Sequence, residues 1–204
     1  MKPTIATQTQ ENRCETCGKE VPSYDLVNYG SIKTGYRELC GRCFNAHLAQ
    51  LDDLHQFEHV DLEPVRLVDS SGEMHVFHFR SRLFGPGVAL DAFELRDRCP
   101  AGYQFQIIGD PEEDLLALLG RLIAKIRRAL SVSHMQQNGA CGLQIADHRL
   151  VRGRIEWDGS RDDVRVPLLV IDGREISWEE FGRMMMSFEG WQFRLEIRDK
   201  SEDL

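Results

Sequence analysis

The chain has 204 residues, of which 42% are hydrophobic and 28% are charged, and its formal net charge is −8 at pH 7. A general nucleic-acid binder presents a basic surface, which this composition disfavours. No stretch approaches the roughly 18 consecutive apolar residues that indicate a membrane-spanning helix. Residues 1–10 are polar and lack the apolar region of a signal peptide. We therefore expect a cytoplasmic globular protein.

Residues 1–12 show no periodicity and are rich in threonine and glutamine, which predicts a disordered lead-in. Two Cys-x-x-Cys pairs dominate the next stretch, with 22 residues between the inner cysteines. A two-residue spacer lets both thiolates of a pair turn toward one point, so two pairs can form the tetrahedron that Zn²⁺ prefers. The sequence therefore predicts one structural Zn²⁺ whose ligands are Cys14, Cys17, Cys40 and Cys43.

Two alternatives stay open for these cysteines. Two disulfides would suit a secreted protein, which the polar N-terminal segment disfavours. An iron–sulfur cluster also takes four thiolates, and the sequence alone does not distinguish it from zinc.

The order of elements around the cysteines is also informative. Cys17-Gly18-Lys19 is typical of a zinc knuckle, and the stretch from Leu26 to Ile32 predicts a short hairpin. After Cys40, apolar residues recur at helical steps as far as Leu54. Knuckle, hairpin and helix in this order resemble a treble-clef zinc finger over residues 13–58. That resemblance implies the metal but no particular function, because treble clefs occur in many contexts.

The middle of the chain predicts a β-meander closed by a helix. Four strand-like runs are separated by turn residues: Val65–Val68, Met74–Leu83, Val88–Leu95 and Tyr103–Ile108. A strong helical pattern follows, with Asp110 as N-cap, Pro111 at the first helical position and an apolar stripe from Leu115 to Leu130. So wide an apolar face must be covered, and the four strands are its expected cover.

The last third predicts a small ββαβ unit after a joint at 136–139. Its strands are Leu150–Trp157 and Val164–Ile171, where Pro167 favours an edge or a bulge, and Trp191–Ile197. Asp172-Gly173 is a hairpin signal, and Ser177-Trp178-Glu179-Glu180 is typical of a capping box that opens a short helix. The three tryptophans of this unit are expected in its core, and the alternative for one of them is to anchor an interface.

Nucleic-acid binding through the finger is the first functional alternative. Four cations lie inside the zinc module: Lys19, Lys33, Arg37 and Arg42. The acidic net charge disfavours this function, and cations near a four-thiolate site also offset its charge.

A zinc hydrolase is the second alternative. His55-Gln56-Phe57-Glu58-His59 matches His-x-x-Glu-His, in which two histidines bind zinc and the glutamate activates water. Solvated residues at the end of a helix explain the same pattern. Cys141 with His134 or His148 would be a weaker catalytic pair, because free cysteine is most often a small buried residue.

The finger, the strand-rich middle and the segment at 166–184 together resemble an uncharacterised family of bacterial zinc-binding proteins, which implies no established activity. We therefore predict an α+β protein that binds zinc, is not an enzyme and acts through protein contacts. Its predicted units are the lead-in at 1–12, the four-cysteine zinc finger at 13–59, the meander with its helix at 60–137 and the small unit at 138–204.

Overall fold

The computed structural model describes residues 12–54, 57–85, 87–139, 142–159 and 165–202. Of the predicted disordered lead-in, only Asn12 is among them. Within these ranges the chain forms three α-helices and eleven strands, and the strands pair in small antiparallel sheets. The predicted α+β class is therefore confirmed.

The N-terminal part is a hairpin followed directly by a helix. Strand β1 (Leu26–Ser31) pairs with β2 (Gly35–Cys40), and α1 (Gly41–Leu51) begins at the next residue. The helix ends at Leu51, three residues before Leu54, which is the last apolar residue of the predicted helical pattern. Asp53 adopts φ +53°, a left-handed conformation that no α-helix continues, and the Leu54 N–H donates to Ala49 O at 2.9 Å.

The middle part is the predicted meander. Strands β3 (Val65–Val68), β4 (Met74–Phe84), β5 (Gly87–Arg96) and β6 (Cys99–Gly109) are neighbours in that order in one four-stranded sheet. Helix α2 (Leu115–Leu130) packs on β5 and β6. Its buried stripe meets the inward side chains of the sheet in the largest core of the described chain, which includes Phe77, Leu90, Leu118, Leu122 and Ile126.

The start of α2 differs from the prediction. Asp114, not Asp110, is the N-cap, and its carboxylate accepts a hydrogen bond from the Leu116 N–H at 3.1 Å. Asp110 instead accepts from the Glu112 N–H at 2.9 Å and forms a separate turn. Asp110 and Asp114 are four residues apart, and either can serve as the N-cap of a helix. With Asp114 as the N-cap, Leu118 and Leu122 are buried against the sheet.

The last part contains two small sheets and a helix. Strand β7 (Met135–Asn138) pairs with β8 (Gly142–Ile145), and β10 (Pro167–Ile171) lies between β9 (Gly153–Trp157) and β11 (Arg174–Ser177). Helix α3 (Trp178–Met185) begins at the predicted capping box, where Ser177 Oγ accepts from the Glu180 N–H at 3.1 Å. A core of apolar side chains joins these elements, including Ile145, Ile171, Ile176 and Met184.

The structure differs from two local expectations in this part. Residues 136–138 of the joint expected at 136–139 belong to β7, in which Gln136 is half-buried and Gln137 and Asn138 are exposed. β10 is a central strand rather than an edge, and Pro167 is tolerated because it is the first residue of the strand. Val164 lies outside the described residues.

The final predicted strand is also wrong. Residues 191–199 form neither helix nor strand, and the apolar side chains of Trp191–Ile197, which we call the terminal apolar segment, are exposed. Trp157, Trp178 and Trp191 are 64%, 52% and 58% exposed, so none of the tryptophans is a core residue. Alternation alone predicts which side chains share a face but not whether a neighbouring strand pairs with the segment. None of the helices in the described ranges has the length and apolar character needed to cross a membrane.

Candidate metal centre

Four cysteines from three elements meet at one point. Cys14 and Cys17 lie in the turn before β1, Cys40 is the last residue of β2, and Cys43 is in the first turn of α1. Their sulfur atoms all lie within 4.8 Å of one another. Cys17 Sγ and Cys40 Sγ are 3.9 Å apart, close to the edge of about 3.8 Å in a tetrahedron with Zn–S bonds of about 2.3 Å. A disulfide needs about 2.05 Å, so the spacing suits a shared metal ion.

The first cysteine pair is held by a tight backbone turn. The Gly18 N–H donates to Cys14 O at 2.9 Å, and the Cys14 N–H donates to Lys19 O at 2.9 Å. Gly18 has φ +70°, a conformation that costs glycine little because it lacks a Cβ atom. The turn therefore directs both thiols of the pair toward the second pair.

The second pair depends on Gly41. The Gly41 N–H donates to Asp25 Oδ2 at 3.2 Å, and a Cβ atom at this position would lie 2.5 Å from Asp25 Oδ1. Only glycine therefore fits between Cys40 and Arg42 while Asp25 stays in place. This contact fixes the start of α1 and with it the direction of Cys43.

The sulfur cluster rests on its own small core. Cys14 and Cys40 are 1% and 4% exposed, and Leu39 is buried beside them. Tyr29 and Phe44 pack against this core from β1 and α1, with their rings in an edge-on arrangement. The two buried cysteines and the apolar side chains that pack against them exclude water from one side of the cluster.

The thiols of Cys14, Cys40 and Cys43 do not ionise equally. Burial opposes ionisation of Cys14, but hydrogen bonds from the backbone at Cys17, Cys40 and Thr16 outweigh it and lower the pKa of Cys14 to about 6. Burial, and next the neighbouring thiols, raise the pKa of Cys43 well above its ordinary value, and burial also raises the pKa of Cys40. Several thiolates in one place repel one another, so a divalent cation at the centre is what would allow all four to ionise together.

The cations considered for nucleic-acid binding do not form one free patch. Lys19, Lys33 and Arg37 are exposed. Arg42, in contrast, donates to Asp61 Oδ2 at 2.7 Å, and this hydrogen bond raises the pKa of Arg42. An arginine paired with a carboxylate is less available for a phosphate.

The hydrolase motif is not presented on a helix in the part of the chain that the structure describes. His55 lies outside that part, and α1 ends at Leu51. His59 Nδ1 is 2.8 Å from Asn45 Nδ2, and His59 Nε2 is 3.2 Å from Asp61 Oδ1. Both ring nitrogens therefore already have protein neighbours. Cys141 also lies outside the described residues, whereas His134 is 2.8 Å from Leu150 O through Nδ1.

One group of candidate ligands was missed by sequence reasoning. Asp69, Glu73 and His75 surround the turn between β3 and β4, and one ligand atom from each lies within 4.8 Å of the others. The signal in the sequence is Asp-x-x-x-Glu-x-His across a hairpin turn. The pattern is easily overlooked because its first residue belongs to a turn and its last to one face of a strand.

Comparison with protein families matches the chain to three domains of unknown function. Residues 13–54 match DUF7685, residues 58–131 match DUF7686, and residues 134–202 match DUF7713. A search of curated proteins and a search of solved structures found no match. None of these findings assigns a function, and the division of the chain at 59/60 and 137/138 stays a prediction.

Proposed function

We propose that this protein is a non-enzymatic zinc-binding protein that acts through contacts with other proteins. The observation that carries the proposal is the meeting of Cys14, Cys17, Cys40 and Cys43 within 4.8 Å. Four thiolates fill the coordination of Zn²⁺ and leave no position for a catalytic water, which is typical of a structural site.

The surroundings of the cysteines support a treble-clef finger within this proposal. The Gly18 turn, the β1–β2 hairpin and α1 follow one another in treble-clef order, and Cys43 lies in the first turn of the helix. Thiols that serve as metal ligands are kept reduced in the cytoplasm, which is therefore the compartment we propose.

The terminal apolar segment supports the protein-contact part of the proposal. Phe193, Leu195 and Ile197 are 80%, 72% and 70% exposed and alternate with Arg194 and Glu196. Contiguous exposed apolar side chains mark interaction surfaces, and an alternating segment can add to the edge of another sheet. The partner we propose is a protein that offers an unpaired strand edge with apolar side chains. Nucleic acid would offer phosphates instead, and the net charge of −8 disfavours it.

Metal content measured by native mass spectrometry tests the zinc site. Protein purified without added metal and passed over a weak chelating resin should retain one Zn²⁺ per chain. Cys40→Ser should retain none, whereas Cys99→Ser, which changes an exposed cysteine at the start of β6, should retain it. Without zinc the 13–54 region should also become sensitive to protease, because metal binding supplies much of the folding free energy of a small module. Equal zinc content in wild type and Cys40→Ser would overturn the site.

Site-specific photo-cross-linking in the host cell tests the protein contact. A photoreactive phenylalanine at position 193 should cross-link to a protein, and one at the exposed position 50 of α1 should not. The cross-link at 193 should disappear in the Leu195→Ser variant. Two results together would favour the nucleic-acid alternative instead. The first is the absence of any protein cross-link at 193, and the second is salt-dependent retention on RNA or DNA that Lys33→Ala and Arg37→Ala abolish.

A further inference from the structure

The turn between β3 and β4 carries two carboxylates, and that of Asp69 is fixed by the turn itself. Asp69 Oδ1 accepts hydrogen bonds from the Ser71 N–H, Ser71 Oγ and the Glu73 N–H, each at 2.8 Å. The Gly72 N–H closes the turn on Asp69 O at 3.2 Å. Because Oδ1 holds the backbone of the turn, Oδ2 is the oxygen that remains for an external group.

That oxygen lies beside a buried histidine. His75 is 8% exposed, and its Nε2 atom lies 3.5 Å from Asp69 Oδ2. Nε2 is buried, and no hydrogen-bond partner for it is found in the described chain. Buried polar atoms nearly always have a hydrogen-bond partner, so a buried nitrogen that lies 3.5 Å from Asp69 Oδ2 without a hydrogen bond indicates a missing group.

The other ring nitrogen of His75 is fixed by a third carboxylate. His75 Nδ1 is 2.8 Å from Glu94 Oε1, and Glu94 Oε2 accepts from the Tyr103 N–H at 2.7 Å. The Tyr103 ring packs edge-on against the imidazole at 5.3 Å. A carboxylate that holds one nitrogen and directs the other outward is the arrangement found behind metal-bound histidines.

The local potential favours a cation. Three carboxylates, those of Asp69, Glu73 and Glu94, surround the His75 ring. The Ser70 N–H donates to the carbonyl oxygen of Leu130 at 2.9 Å, so the turn also lies at the negative end of α2.

We propose that Asp69, Glu73 and His75 bind a divalent transition-metal ion, Zn²⁺ or an ion of similar preference, at a second site, with Glu94 as the positioning residue. One imidazole and two carboxylates suit Zn²⁺ better than Mg²⁺ or Ca²⁺, which favour oxygen ligands alone. Three protein ligands leave at least one position open to solvent or to a further ligand. Glu73 is exposed, so this ion exchanges with the medium, unlike an ion enclosed by four cysteines.

Calorimetric titration of the full chain with ZnCl₂ tests the site after the resin treatment that leaves the cysteine-bound zinc in place. Wild type should take up one further equivalent, and the ¹⁵N resonance of His75 Nε2 should move to the position of a metal-bound nitrogen. MgCl₂ should cause neither change. The Cys40→Ser variant should still show the His75 shift, so failure at one site is distinguishable from failure at the other.

Variants of the carboxylates separate binding from folding. Glu73→Gln and Asp69→Asn keep the shapes of the side chains, and each should weaken Zn²⁺ binding at least tenfold, whereas Glu63→Gln, a nearby exposed control, should leave it unchanged. Glu94→Gln should weaken binding about 10- to 100-fold and change the ¹⁵N signature of His75 Nδ1. If wild type shows no further equivalent and no His75 shift at millimolar ZnCl₂, the three side chains form only an internal polar cluster and the proposal is wrong.

Discussion

Asn45 of α1 and Leu83 of β4, 38 residues apart in the chain, are joined by a hydrogen bond from the Leu83 N–H to Asn45 Oδ1 at 2.9 Å. Asn45 Nδ2 donates to Ser81 O at 3.0 Å, so one carboxamide satisfies two backbone groups of the same strand. Asn45 is fully buried. The helix that carries Cys43 is thus attached to the meander by a polar contact, in addition to apolar packing.

Asn45→Ala should therefore destabilise the protein. The Leu83 N–H and Ser81 C=O would lose their partners in the interior, and each such group costs about 1–3 kcal/mol. We expect the free energy of unfolding in urea to fall by about 3 kcal/mol. Asn28→Ala, at an exposed position of β1, is the control and should change it by less than about 0.5 kcal/mol. Equal effects of the two substitutions would mean that Asn45 does not bridge helix and strand.

The environment of Asp25 predicts that the free energy of unfolding depends on pH. Burial raises the pKa of its carboxyl group above the ordinary value, although the Gly41 N–H and nearby cationic side chains act in the opposite direction. A raised pKa in the folded state means that this group stabilises the fold fully below its unfolded pKa of about 4, and that the contribution is lost as pH rises through the folded value.

Asp25→Asn removes this ionisation and retains an oxygen that can accept from the Gly41 N–H. The variant should be more stable than wild type at neutral pH, and its advantage should shrink as pH is lowered toward about 4. Urea unfolding at a series of pH values measures the difference. Asp52→Asn, at an exposed position, serves as the control substitution. An advantage that grows on acidification would mean that folding lowers the pKa of Asp25 instead of raising it.

Asp172 ties the β10–β11 turn to β7. Its Oδ2 accepts from the N–H groups of His134 at 2.7 Å and Met135 at 2.8 Å, and from Ser133 Oγ at 3.1 Å. Asp172→Ala should lower the free energy of unfolding by about 3 kcal/mol, because hydrogen bonds to a charged group are worth about 1.5–3 kcal/mol. Asp172→Asn retains an acceptor and should cost about 1 kcal/mol.

The control for Asp172 is Asp97→Ala. Asp97 is exposed and has φ +53°, close to the +50° of Asp172, so both alanine variants experience the same backbone strain. Strain of this kind costs about 1 kcal/mol. If the two alanine variants lost equal stability in urea, the hydrogen bonds of the Asp172 carboxylate would contribute nothing measurable.

The terminal apolar segment should tolerate polar substitution in the isolated protein. Leu195 is 72% exposed, so Leu195→Ser should change the free energy of unfolding by less than about 0.5 kcal/mol. Leu122 is fully buried in the main core, and Leu122→Ala should cost about 2–5 kcal/mol. A large loss of unfolding free energy in Leu195→Ser would show that the segment is already packed. Light scattering would then show whether a second copy of the chain covers it.

Features that depend on neighbours in the chain were predictable from the sequence. Two-residue spacers bring both thiols of a pair together, Asp172-Gly173 forms a tight turn with φ +50° and +70°, and Ser177 caps α3. Strands of the meander follow one another along the chain and pair in the same order. Each of these features requires only a few residues that are close in sequence.

The sequence by itself thus determined the α+β class, the four clustered cysteines and most of the elements. Only the tertiary structure decided that Asn45 is buried, that His75 faces Asp69 and Glu94, and that Trp191–Ile197 has no neighbouring strand in the described chain. The physical reason is that a polar side chain is stable in the interior only if distant residues supply its hydrogen bonds, and a strand forms only if another strand supplies its partners. Those partners come from elements far away in the chain, which local patterns do not specify.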